Sequence, residues 1–451
     1  MKLLSFSRKW LNIWKNIARL FGVNTHQMIQ EDFLHFVWQH QYFNTANLKT
    51  SDDRLVEVVK PGFHNHLAGP DFKEAKIKID GILWAGSVEI HMKSSDWKAH
   101  NHDGDANYDN VVLHVVFDHN KEILNPEGQP IPTIELSGLI KPGLLSRYQS
   151  IIDSQTDIPC SDLFFKVRSV TRLAMLETAL VRRLERKGLI FRSILKANNN
   201  DWEQSTYEWL ARGFGFKTNA ENMLELARTV PLKILQKHSE IRQWEALLFG
   251  ASGLLNTSDN DEYANELRRE YVFLERKYEI KSNLSYNQWH FSGVRPTNFP
   301  TLRIAQFATL VHANSNLFSL FTHFSSIKEL QKLLQINQPE YWKGHLNFNT
   351  KSKNTMNGLS KSAVQNIMIN TMAPLLVAYS EFKEDNDMLD LAMNVLMSLP
   401  VENNHIIRKW QDMGWNVNSS FDTQGLIELH NEFCLPKKCM QCKIGVELVK
   451  A

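Results

Sequence analysis

Polar and apolar positions alternate with a period of two in the first third of the chain. The runs Lys76-Ile77-Lys78-Ile79-Asp80 and 83–93 flank Asp80-Gly81, and alternation about an Asp-Gly pair predicts a β-hairpin. On its second strand Glu89, His91 and Lys93 share one face, because successive side chains point to opposite sides of a sheet. Residues 111–117 (Val-Val-Leu-His-Val-Val-Phe) are nearly all apolar and β-branched, as in a strand buried on both faces. Shorter strands are expected at 55–59 and 131–136. A helix is expected over 31–42, where Phe33, Phe36, Val37 and Trp38 form an apolar arc behind Glu31 and Asp32.

Beyond about residue 140 the period changes. Helical spacing recurs over 173–195, 202–214, 220–237, 244–255, 262–278, 301–313, 360–379 and 386–398. The Asn-, Ser- and Thr-rich stretch 343–358 reads as an exposed loop. The expected organisation is a basic amphipathic helix in 1–29, an α/β core with a mixed sheet flanked by helices in 30–140, an all-α region in 141–433, and a cysteine-containing segment, 434–451, packed back on the body. Within 1–23, Leu11, Trp14, Ala18 and Phe21 form an apolar stripe among Lys and Arg. Such a helix docks on the body or lies on an anionic surface. It lacks the uninterrupted apolar core of a signal peptide.

Composition narrows the classes. The chain has 451 residues, 43% hydrophobic and 22% charged, an ordinary globular balance with material for two or three domains. No run of eighteen apolar residues occurs, so integral membrane association is not expected. A net charge of +2 neither demands a polyanionic partner nor excludes one where basic residues cluster. Four cysteines in such a length are not a disulfide scaffold, which points to a reducing cytoplasm.

The chemistry concentrates around the hairpin. Asp71 precedes its first strand and Glu89 lies on its second, so two carboxylates and a basic group can hold a divalent cation and a water. The plainer reading makes Asp71 a turn cap and 89–93 the solvated face of an edge hairpin. The histidines offer a rival. His64, His66, His91, His100, His102 and His114, with Asp103, Asp105 and Asp109, suffice for a transition-metal hydrolase, or are surface and core histidines.

Pro70-Asp71, followed eighteen residues later by Glu89 with His91 and Lys93 beyond it, resembles the signature of the PD-(D/E)XK nuclease superfamily. The resemblance implies a restriction-endonuclease-like core. It makes Asp71 and Glu89 ligands of Mg2+ (or Mn2+), with the Ile90 carbonyl as a third and Glu31 or Glu57 as outer candidates. His91 or Lys93 would orient the water and stabilise developing charge. His91 occupies the lysine slot, and Lys93 comes one pleat later. The implied activity is metal-dependent cleavage of nucleic acid, DNA above all, or else a catalytically inactive scaffold that binds nucleic acid or protein. More widely, Gly69-Pro70-Asp71-Phe72, Val88-Glu89-Ile90-His91, Ser95-Asp96-Trp97, Leu113-His114-Val115-Val116, 295–300 and the terminal cysteines resemble a bacterial family known only as a domain of unknown function, from about Glu31 onward.

Cys434-x4-Cys439-x2-Cys442 has spacing used by thiolate metal sites, and Cys160 is the remaining cysteine. A [4Fe-4S] cluster or Zn2+ would fit, and some nucleases of the resembled superfamily carry a four-cysteine cluster. Reduced buried thiols are the alternative. Arg182 and Arg186 line part of one basic helix, and Arg295 and Arg303 bracket a rigid loop. Both are candidate phosphate contacts, or solvated faces.

Overall fold

The computed structural model describes residues 30–65, 67–256 and 261–451; the helix expected within 1–29 and His66 lie outside the described residues. Glu31–Gln39 forms α1, Val56–Lys60 β1, Phe63–His64 β2, Phe72–Ile79 β3, Ile82–Lys93 β4, Asp96–Ala99 α2, Val111–Asp118 β5 and Thr133–Glu135 β6. β1, β3 and β4 are successive antiparallel neighbours, while β5 lies parallel to β4 and β6 parallel to β5. The mixed sheet thus runs β1-β3-β4-β5-β6, and β2 pairs with β3 off that path. At the hairpin, Asp80 and Gly81 take φ of 49° and 83°, the left-handed pair that a two-residue turn between twisted strands requires.

Register shifts decide what faces the site. Between the pairs Phe72↔Val88 and Ala75↔Gly86, β3 carries one residue more than β4, with Glu74 at φ 56°. This bulge lets Phe72 and Ala75 both point inward although they are three apart, and it delivers Asp71 beside Glu89. A second shift falls between Ser87 and Val88, on the β5 side. Gly86 permits that approach, since a Cβ there would lie 2.4 Å from the Asn110 carbonyl oxygen. Val88, Ile90, Leu113 and Val115 are wholly buried, and α1 packs on β4 with Phe33, Val37 and Trp38 buried. Each such side chain contributes about 1.5–3 kcal/mol by leaving water.

The chain forms two compact units. The first comprises the described residues up to Glu177, with Asp412–Gly414 and Ile427–Ala451; the second comprises Thr178–Gln411 and Trp415–Leu426. The division falls inside a long helix, Ser169–Ala197, rather than at residue 140. The first unit therefore also holds the helix Leu144–Ile152 and the C-terminal helix Lys443–Lys450.

The second unit is helical, as its period predicts, with three departures. Pro231 supplies no backbone N–H and divides the expected helix 220–237 into Ala220–Thr229 and Leu232–Leu235. The expected helix 360–379 contains a π-helical turn, Met368–Met372, just before Pro374; a widened turn there relieves the clash of the proline ring with the preceding turn. The expected loop 343–358 holds a small hairpin, His345–Asn347 with Thr350–Lys351, too short to leave an alternation. No described helix is long and apolar enough to cross a membrane.

Candidate metal centre

Asp71 and Glu89 meet through reciprocal backbone contacts. The Asp71 N–H donates to Glu89 Oε2 at 3.0 Å, and the Ile90 N–H donates to Asp71 Oδ2 at 2.9 Å. Ile90 thus enters through its amide, where the sequence suggested its carbonyl. Glu89 is 5% exposed and His91 1%. β4 is an interior strand between β3 and β5, which overturns the reading of 89–93 as a solvated edge face.

The acids crowd one another. Burial and then Asp71 push the Glu89 carboxyl up to about 9, and the same two causes raise Glu31 to about 7. Burial also raises Asp71, but His35 and the Ile90 N–H outweigh it and hold Asp71 below the usual carboxylate range. His35 Nε2 stands 3.3 Å from Asp71 Oδ2. Burial lowers the His35 pKa, yet Asp71 and Glu31 more than reverse that and raise it. At neutral pH the cluster keeps one carboxylate charged only by leaving protons on the others, which marks it as short of positive charge. Glu57 takes no part, because on β1 it pairs with Lys78 of β3 at 3.2 Å.

The histidines converge on the same carboxylate. His102 Nε2 lies 3.2 Å from Glu89 Oε1, and His91 Nε2 lies 3.7 Å from that oxygen and 3.1 Å from His100 Nδ1. Ligand atoms of His91, His100 and His102 all lie within 4.8 Å of one another and could hold a metal ion. An ion with bonds of about 2.0–2.1 Å spaces tetrahedral ligand atoms roughly 3.3 Å apart, so the three imidazoles lie near ligand spacing, with Glu89 against two of them. Behind them His91 Nδ1 meets His114 Nε2 at 2.9 Å. Burial, then the neighbouring histidines, lower His91 to about 2, and burial takes His114 to about 3. Both rings are therefore neutral near pH 7, the form that binds a cation. Of the ring nitrogens in the His91, His100 and His102 group, the buried His102 Nε2 lacks an aligned hydrogen-bond partner, although such atoms are normally satisfied, and a cation there would supply one.

The other expected residues disperse. Lys93 is half-buried at the end of β4, its N–H donating to Asp96 Oδ2 at 2.9 Å; among the described residues its ammonium forms no ion pair with Asp71 or Glu89. Asp103 accepts from Trp97 Nε1 at 3.1 Å, and Asp105 caps the turn Ala106–Tyr108, so these two aspartates serve the loop. His64 stacks on Phe72. A cavity of about 560 Å³ reaches His102 between Trp97, Lys98, Tyr108 and Lys121, and Tyr108 stacks on His102 at 3.8 Å.

Of the expected phosphate contacts, Arg182, Arg186 and Arg295 are exposed. Arg186 joins Arg183, Lys187, Arg212 and Lys217 around a cavity of about 500 Å³ in the second unit. Arg303 is buried: Nη1 donates to Gln306 Oε1 at 2.8 Å, Nη2 donates to Asn298 Oδ1, and the guanidinium lies over the Phe216 ring. It belongs to the helical core rather than to a displayed surface. Cys160, Cys434, Cys439 and Cys442 are all free and buried, and all lie in the first unit.

Sequence reasoning treated the two acids and the histidines as rival sites, and it gave His35 no role. The only local signal for His35 was its place on α1, four residues after Glu31. No curated protein and no solved structure matches this chain. Residues 31–405 match one family, a span that includes the whole metal centre and stops short of the three C-terminal cysteines, and the chain belongs to that family, described as "Protein of unknown function (DUF2851)".

Proposed function

We propose that this protein is a metal-dependent hydrolase of nucleic-acid phosphodiester bonds, on a core related to the PD-(D/E)XK nucleases and using a histidine-rich cation site. The observation that carries the reading is the group of His91, His100 and His102, whose ligand atoms lie within 4.8 Å of one another, with Glu89 Oε1 3.2 Å from His102 Nε2 and 3.7 Å from His91 Nε2. Support for such a core comes from the order of Asp71 just before β3 and Glu89 on β4, which is the order the resemblance implies, and from a mixed sheet with α1 packed on it. Three imidazoles favour Mn2+, Fe2+ or Zn2+ over Mg2+, which prefers all-oxygen ligands.

An ion held by these residues would supply polarisation of a phosphate oxygen and a lowered pKa for a bound water. The chain's own groups divide the remaining work. If His91 Nδ1 donates to His114 Nε2, the lone pair of His91 Nε2 is turned to the metal side. Asp71, kept ionised by His35 and the Ile90 amide, accepts the proton of the attacking water. His35, favoured in its protonated form, is the cationic neighbour that Lys93 does not supply. The basic cavity of the second unit suits a polyanionic substrate, since a chain with little net charge gathers five cationic side chains there. The position of Lys93 favours a second reading, an inactive scaffold that binds nucleic acid without cutting it.

Cleavage of plasmid and oligonucleotide DNA with Mn2+, Zn2+ or Mg2+ separates these readings. Asp71→Asn and Glu89→Gln should each lower wild-type cleavage by about 10²-fold or more, the scale of a lost acid–base or ligand group. Equal cleavage by wild type and both variants rejects the site. Tight DNA binding without wild-type cleavage selects the scaffold.

A further inference from the structure

We infer that Cys160, Cys434, Cys439 and Cys442 bind an iron–sulfur cluster that clamps the C-terminal segment onto the region 144–175 of the first unit. These are the chain's four cysteines, drawn from two stretches far apart in sequence, and each is only 7–8% exposed. None forms a disulfide. Cys434 ends the turn Leu429–Cys434, Cys439 opens the short turn Cys439–Gln441 that leads into the C-terminal helix, and Cys160 is the N-cap of the turn Ser161–Lys166.

The C-terminal stretch is seated by polar contacts around them. Lys437 Nζ donates to the Ser154 carbonyl at 3.0 Å, the Arg168 N–H donates to Glu447 Oε1 at 2.9 Å, and the Lys443 N–H points at Met175 Sδ at 3.3 Å. Lys437 takes φ 54°, a left-handed residue that turns the chain between Cys434 and Cys439. Cys442 is the N-cap of the C-terminal helix, and its sulfur receives the Ile444 and Gly445 amides. Amides directed at sulfur stabilise a thiolate ligand. Gly445 is needed at that contact, since a Cβ would stand 2.2 Å from the Cys439 carbonyl oxygen.

Spacing along the chain selects the cluster over one ion: Cys434-x4-Cys439-x2-Cys442 with a fourth cysteine far off in sequence is an interval that iron–sulfur proteins use. This inference stands apart from the reading of the metal centre.

The test is iron, zinc and acid-labile sulfide analysis of the full-length chain purified without oxygen, with a visible spectrum before and after dithionite. Iron and sulfide in equal amounts, about two or more of each per chain, with absorbance bleached by dithionite, is the expected result. His102→Ala should retain both, and Cys160→Ser or Cys442→Ser should lose them. One zinc without iron, or neither metal, overturns the cluster in the wild-type protein itself, whatever the fate of the variants. Full iron and sulfide in Cys160→Ser would also overturn the four-cysteine assignment.

Discussion

Asp71 and Glu89 are held together by the backbone as much as by any shared ligand: the Asp71 amide donates to Glu89 Oε2 at 3.0 Å, and Asp71 Oδ2 accepts the amide of Ile90, the residue after Glu89, at 2.9 Å. Two carboxylates are fixed side by side, where burial and then the charge of Asp71 push the Glu89 carboxyl up to about 9. The same arrangement leaves Glu89 Oε1 facing His91 and His102. Glu89 therefore belongs to both halves of the centre.

Metal affinity should depend on the histidine side. Added Mn2+ or Zn2+ should raise the thermal midpoint of wild type, since ligand at 100 times Kd stabilises by about 2.7 kcal/mol. His102→Ala should weaken that response at least about tenfold in metal concentration, whereas Lys93→Ala should leave it unchanged. Calorimetric titration of the two variants measures both, and equal affinity in His102→Ala and wild type would remove the histidines from the site.

Binding should also release protons. Glu89, raised to about 9, and Glu31, raised to about 7, carry protons near neutrality, and a cation displaces them. Titration at pH 7 in two buffers of different ionisation heat should show about one proton leaving per metal bound. Glu89→Gln should reduce that number, and uptake of protons would contradict the arrangement.

A separate pH dependence lies in the second unit. Glu245 is wholly buried, with Trp342 Nε1 donating to its Oε1 at 2.7 Å and the Tyr263 hydroxyl donating to Oε2 at 2.5 Å. Burial raises its pKa from 4.5 to about 7, against the opposing effects of Tyr263, Trp342 and Arg242. A carboxyl with a raised folded-state pKa stabilises fully below the unfolded value and loses that contribution as pH rises through the folded one. The stability that Glu245 contributes should fall between pH 5 and about pH 8, by an amount on the order of 3 kcal/mol. Glu31 and Glu89 add to the slope with the same sign, while the lowered pKa values of His91 and His114 oppose it below about pH 7, so the comparison is made against Glu245→Gln. That variant should follow a shallower curve, and parallel curves for the two proteins would exclude Glu245 as the source.

Much of the layout was legible along the chain because it is written in local terms. Alternation about Asp80-Gly81 places β3 and β4, β-branched residues place β5, and helical spacing places Glu262–Tyr278 and Asn386–Ser398 at their observed bounds. Asp71 and Glu89 were identifiable because one hairpin joins them. The histidine half was not, since His100 and His102 leave β4 through α2 and a polar loop whose path no periodicity encodes.

What the sequence determined by itself is the set of elements and the pair of acids, because each depends on residues close together in the chain. What the tertiary structure alone decided is that β4 runs inside the sheet, with β5 parallel beside it and α1 packed on it. That packing buries Glu89 and His91, brings His35 to Asp71 and sets His114 behind His91. It turns two separate motifs into one buried polar cluster, because long-range packing rather than local pattern fixes which polar groups must share a buried space.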